Sequence, residues 1–182
     1  VTANNMGISM DRLLGYLTAI GNVNPNLDMT AIGNSMKTIF TRMSNIKAGK
    51  LELIDEDAEC FKPLAAAYKM PSETIEDAEL KKETLEKCSK DACMVPLEIM
   101  EQCCEAIDLT NRFGRIGSRL AISDAGCSAA ILEGALKAAS LNIFINTKCL
   151  KDRTFAEEIN KKALDMINEY SQKAEKIFSE IS

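Results

Sequence analysis

Apolar residues in this chain recur at intervals of three and four, and no stretch alternates convincingly with a period of two. From Phe155 they fall at Ile159, Ala163, Met166, Ile167, Tyr170, Ala174, Ile177, Phe178 and Ile181, one stripe of an amphipathic helix. Thr154 and Glu157 have the spacing of a capping box at its entrance. A second long helix is expected from Ser72 to about Phe113, with Leu85, Cys88, Ala92, Val95, Ile99, Cys103 and Ala106 on one face and Leu97, Met100, Cys104 and Ile107 on its neighbour. Pro96 should bend it, because proline lacks the backbone donor, and Gly114 with Gly117 should end it. Leu51 to Tyr68 reads as a shorter helix kinked at Pro63, and Pro71 starts the next element at Ser72. The class is all-α, an up-and-down bundle of long antiparallel helices joined by short turns.

Charge and composition exclude several functions for such a bundle. The net charge of -5 over 182 residues argues against a nucleic-acid partner, which wants a concentrated positive face. No uninterrupted apolar run approaches the roughly 20 residues that cross a bilayer, and the start VTANNMGISM lacks the basic and apolar sections of a signal peptide. No membrane partner and a cytoplasmic location are therefore expected. The seven cysteines are odd in number, form no CxxC pair and have no histidine in the chain beside them, so reduced thiols are expected, with neither a disulfide framework nor a metal site. Cys88, Cys103 and Cys127 stand where small apolar residues would serve in a core. Without histidine, proton transfer falls to acids, lysines and hydroxyls.

The stretch RLAISDAGCSAAILEGALKAASLN, Arg119 to Asn142, then raises the question of function. Ser123 reads as an N-cap, and Asp124 in the first turn faces unsatisfied backbone N–H groups that favour negative charge by about 0.3–1 kcal/mol. Capping alone explains the acid. It does not explain the small residues on nearly every face of the helix that follows, which let neighbouring backbones approach closely and suit a central or interface helix.

From Leu51 onward the chain resembles the formiminotetrahydrofolate cyclodeaminase and methenyltetrahydrofolate cyclohydrolase family. The pieces that carry the resemblance are LIDEDAECF at 53–61, AAYKMPSET at 66–74, VPLEIMEQC at 95–103, AISDAG at 121–126 and ALKAASLNIFINTKCLKD at 135–152. The resemblance implies a dimerising helical bundle with a folate site near the subunit interface, a tetrahydrofolate derivative as substrate, and no metal. It implies Asp124 as the acid–base residue with Ser123 positioning it, and Asp57, Asn142, Asn146 and Lys148 as substrate-binding candidates. The asparagines serve equally well to satisfy loose backbone groups at a helix end. Arg112, Arg115 and Arg119, or Lys148, Lys151 and Arg153, could hold the carboxylates of a folate tail.

Residues 1–50 lack the family's proline and glycine-rich turn, and IGNSMKTIFTRMSNIKAGK within them resembles a segment of phage tail tape-measure proteins. Two helices are expected there, one capped by Ser9 and running to Gly21, one capped by Asp28 and stopping at Gly49. The chain thus divides into a tape-measure-like segment, 1–50, and a cyclodeaminase-like bundle, 51–182. The expected activity is cyclodeamination of formimino-tetrahydrofolate or hydrolysis of methenyl-tetrahydrofolate, and the alternative is a phage-type assembly protein without catalysis.

Overall fold

A computed structural model describes residue 53, residues 56–116 and residues 122–180. Among the described residues every regular element is a helix: α1 over 56–68, α2 (Ile75–Asp91), α3 (Met94–Ile116), α4 (Ile122–Thr147) and α5 (Arg153–Ser179). They make an all-α bundle of several long helices packed together. The helices expected within 1–50, and Gly117, lie outside the described residues.

Local chemistry sets most of the boundaries. The Thr74 hydroxyl accepts from the N–H of Asp77 at 3.0 Å and so caps α2, contributing about 1 kcal/mol; α2 therefore begins at Ile75, not Ser72. Lys81 Nζ donates to the Met70 carbonyl at 2.8 Å and ties the preceding turn to the helix.

The single helix expected from 72 to 113 is two helices, and Pro96 is the reason. In a continuous helix the N–H of residue 96 would bond the carbonyl of Ala92. Proline has no N–H and its ring crowds that carbonyl, so the helix stops short. A turn at Ala92–Cys93 intervenes, with Ala92 N–H donating to Cys88 O at 2.9 Å and Cys93 N–H to Lys90 O at 3.1 Å. Pro96 then occupies the first turn of α3, where a missing donor costs little. At the far end, Gly114 does not stop α3, which continues to Ile116. The entrance to α5 also differs from expectation. Asp152, not Thr154, receives the N–H of Phe155, at 3.0 Å on Oδ1, because Thr154 is already helical.

The chain forms two compact units. Of the described residues, one takes in 105–116, 122–133 and 170–180; the other, 53, 56–104 and 134–169. In the first, Ile107, Leu109, Ala125, Ala129, Ala174 and Ile177 are buried, and Asp108 joins α3 to α5 by accepting from Tyr170 Oη at 2.9 Å and Lys173 Nζ at 3.1 Å. In the second, Leu64, Leu97, Met100, Cys103, Leu136, Ile143 and Ala163 form the core. Each large apolar side chain there contributes about 1.5–3 kcal/mol on burial. Both expected faces of α3 are covered, since Val95, Leu97, Met100, Cys103, Cys104, Ala106 and Ile107 are all buried. Cys88 is half-buried and Cys127, expected in the core, is exposed.

α4 is unlike the other helices. Its length and composition would suffice to cross a membrane, yet only 28% of its most apolar stretch is buried.

Candidate functional site

Asp124 is the third residue of α4 and is half-buried; Ser123, the second, is exposed. Ser123 therefore lies inside the first turn and not ahead of it, where the expected N-cap would stand. Two small buried residues follow, Ala125 and Gly126. α3 comes near this end of α4: a Cβ built at Gly114 would stand 3.8 Å from Ala125 Cβ, an ordinary packing distance. Arg112 and Arg115 are exposed on the last turns of α3, and Arg119 lies outside the described residues.

The other candidates lie elsewhere. Asp57 is half-buried in α1, Asn142 is exposed on α4, and Lys148 is exposed in the turn that follows α4. Eighteen residues separate Asp124 from Asn142 on the same helix, a rise of about 27 Å, and Lys148 lies still further on, at roughly 36 Å. No bicyclic ring bridges that distance. Asn142 and Lys148 occur within two turns of each other, whereas neither shares a neighbourhood with Asp124 along α4.

Asn146 has a definite partner. Its Nδ2 donates to the Ala92 carbonyl at 3.0 Å, the acceptor that Pro96 leaves without a helical donor. Ala92 is buried, so this bond answers a need that water cannot.

Sequence reasoning did not single out the groups that hold the α4–α5 turn. Both oxygens of Glu86 accept backbone N–H groups, from Lys151 at 2.8 Å and Asp152 at 3.0 Å. These two donors hold the Glu86 carboxyl below its ordinary 4.5. Lys90 Nζ donates to Asp152 Oδ2 at 2.6 Å and lies 5.3 Å from the Phe155 ring centroid. That bond raises Lys90 above its ordinary value, and together with the Phe155 N–H it lowers Asp152. The Glu86–Lys90 spacing of four on a helix was a visible signal; Asp152, more than sixty residues away, had none. In the other unit, burial first and the Asp108 carboxylate second raise Tyr170. Burial pushes the Cys93 thiol up to about 11, which makes it an inert donor to Ser89 O at 3.2 Å.

Among the described residues no group of three or more histidine, cysteine or acid side chains is placed to hold a metal ion. An open depression of about 520 Å³ is lined by Glu133, Ser171, Gln172, Glu175, Lys176 and Ser179. Its two carboxylates against one ammonium disfavour an anionic ligand, and Asp124 is not on its wall.

Comparison with known proteins gives this arrangement a family. Residues 6–165 match the family described as formiminotransferase-cyclodeaminase. The chain is 30% identical over 146 residues to a methenyltetrahydrofolate cyclohydrolase of Methylorubrum extorquens, covering 80% of this chain and 70% of that protein. It is 24% identical over 169 residues to the formimidoyltransferase-cyclodeaminase of Sus scrofa, covering 93% of this chain and 30% of the longer pig enzyme. Its fold matches the crystal structure of formiminotetrahydrofolate cyclodeaminase from Thermotoga maritima with a TM-score of 0.69 at 18% identity, over 99% of this chain and 88% of that one. The family match starts at residue 6 and so takes in nearly all of the segment that was expected to be tape-measure-like; nothing in the comparisons supports that resemblance. The chain belongs to the formiminotransferase-cyclodeaminase family.

Proposed function

We propose that this protein is a cytoplasmic, homodimeric folate enzyme that opens the methenyl bridge of methenyl-tetrahydrofolate by hydrolysis, with no metal and no nucleic-acid partner. The observation that carries the reading is the identity of 30% to a methenyltetrahydrofolate cyclohydrolase across 70% of that protein. Water adds to the bridging carbon and gives up a proton to a carboxylate. The bond from N5 to that carbon then breaks, N5 takes the proton back from the carboxylic acid, and the hydroxyl proton leaves to solvent as the formyl group forms on N10. One carboxyl group can serve both steps. Asp124 is assigned that role, with Ser123 beside it, and Asp57, Asn142 and Lys148 are assigned to substrate binding. Asn146 is assigned to substrate binding through its carbonyl oxygen and its second amide N–H, the first being engaged to Ala92.

Cyclodeamination is the second reading, favoured by the pig enzyme's match to 93% of this chain. There N10 attacks the formimino carbon on N5, its proton passes to the imino nitrogen, and a second proton expels ammonia. The same carboxyl group can move both protons. The methenyl chromophore separates the two: decay with methenyl-tetrahydrofolate means hydrolysis, growth with formimino-tetrahydrofolate means deamination. No change with either substrate, together with no folate-dependent rise in Tm, rejects both.

A further inference from the structure

We infer that Pro96 is a positioning residue for the ligand. By denying the Ala92 carbonyl a helical donor it fixes the side-chain amide of Asn146, whose Oδ1 and second N–H are left for a ligand edge that pairs an N–H donor with an acceptor, as the lactam of a pterin does.

A carbonyl at position 92 is satisfied most simply by an N–H four residues on, and an alanine at 96 would supply it. The chain has proline there, and the carbonyl is served from α4, 54 residues away, by Asn146 Nδ2 at 3.0 Å. The neighbouring bonds are in place: Ala92 N–H reaches Cys88 O at 2.9 Å and Leu97 N–H reaches Cys93 O at 3.2 Å. Pro96 is fully buried and Ala92 is buried, so the carbonyl is not handed to water. Ala92, Pro96 and Asn146 all belong to one compact unit.

The consequence falls on the rest of the amide. An asparagine side chain carries two N–H donors and a carbonyl oxygen, and a free one turns over to offer either to a ligand. Beside the Ala92 oxygen it cannot, because the flip would set Oδ1 against a second acceptor. Oδ1 takes no hydrogen bond from the described residues and is not sealed from solvent. The half-buried amide therefore presents one acceptor and one donor at fixed places before any ligand arrives, which spares binding the cost of ordering them. Asn142, one turn earlier, is exposed and has no such anchor among the described residues, so it adapts to the ligand where Asn146 selects it.

The ligand named here rests on the proposed folate activity, whereas the fixing of the amide is read without substrate. In the NMR spectrum of the whole chain, the Nδ2 proton pair of Asn146, identified by its loss in Asn146→Ala, should contain one slowly exchanging proton. Pro96→Ala should return both to the exchange rate of a free side chain. With the substrate that the wild type turns over, Asn146→Ala should raise KM about tenfold and leave kcat, the mark of a contact held equally in ground and transition states. Pro96→Ala should raise KM about threefold by releasing the amide, and in that background Asn146→Ala should add only about threefold more. A purely structural bond would move Tm and leave KM. Two fast-exchanging protons in the wild type, or an unchanged KM in a Pro96→Ala chain of intact helical circular dichroism, overturns the inference while the folate activity stands. Should Pro96→Ala fail to fold, Asn146→Asp decides: it keeps an acceptor but has no donor for the Ala92 oxygen, so KM should rise as in Asn146→Ala, and a wild-type KM overturns the inference. A wild type that neither turns over nor binds either folate removes the proposed function and, with it, the ligand named here.

Discussion

Replacing Asn146 by alanine removes the donor to the Ala92 carbonyl, a bond of 3.0 Å to a residue only 6% exposed. A buried acceptor left without a partner costs about 1–3 kcal/mol. At roughly 2–4 °C per kcal/mol for a chain of this size, Tm should fall by about 2–12 °C. The cause assigned here can be checked against its origin. Pro96→Ala restores an N–H four residues after Ala92 and lets α2 run on into α3, giving the same carbonyl a helical donor. In that background Asn146→Ala should cost much less, and the double-mutant cycle should return a coupling of about 1–2 kcal/mol. Urea titration with matched m-values is the assay. An unchanged cost of Asn146→Ala in the Pro96→Ala background would refute the reasoning. A rise in KM with no loss of stability would refute it too, and would return Asn146 to the substrate.

Asp124→Asn should abolish turnover of methenyl-tetrahydrofolate while lowering Tm by less than about 4 °C, since a carboxylate in the first turn of a helix contributes about 0.3–1 kcal/mol. Glu86 and Asp152 are held below their ordinary pKa values, so their contribution is complete above about pH 4.5 and is lost as pH falls through the lowered values; Glu86→Gln should flatten that part of the acid unfolding curve. Lys90 is held above its ordinary value, so its contribution is present below about pH 10.5 and is lost as pH rises past it, which Lys90→Met should remove. Tyr170→Phe deletes the hydroxyl donor to Asp108 and should cost about 0.5–1.5 kcal/mol in urea titration.

Helical periodicity made the class and both faces of α3 legible, because seven buried positions there repeat at helical intervals. The break at Ala92–Cys93 was harder to read. The apolar rhythm runs straight through it, and only the carbonyl that Pro96 cannot serve makes two helices preferable to one bent helix. The entrance to α5 misled for a related reason: Thr154 and Glu157 have good capping spacing, yet Asp152 also gains Lys90 from α2, a tertiary bond with no local signature. Along α4 the small residues on nearly every face left no dominant stripe. Which face stays open is decided by what the other helices cover, and Cys127, expected inside, falls on that face. Asp124 falls in the first turn of α4 and Lys148 in the turn just past its end.

The groups around the turn after α4 bear on how Lys148 could act. Arg153 Nη1 donates to the Thr147 carbonyl at 3.4 Å, and the Thr147 hydroxyl bonds Asn160 Oδ1 at 2.8 Å. Glu86 takes the N–H groups of Lys151 and Asp152, and Asp152 in turn caps α5. The ends of two helices thus find their partners within the fold, and buried Leu150 pins the turn from beneath. The backbone that carries Lys148 is then ordered before any ligand arrives. Only the ammonium side chain loses freedom when it meets an anion, and binding is spared the cost of fixing a loop. Asp124 has the same advantage at the other end, being fixed in the first turn of α4.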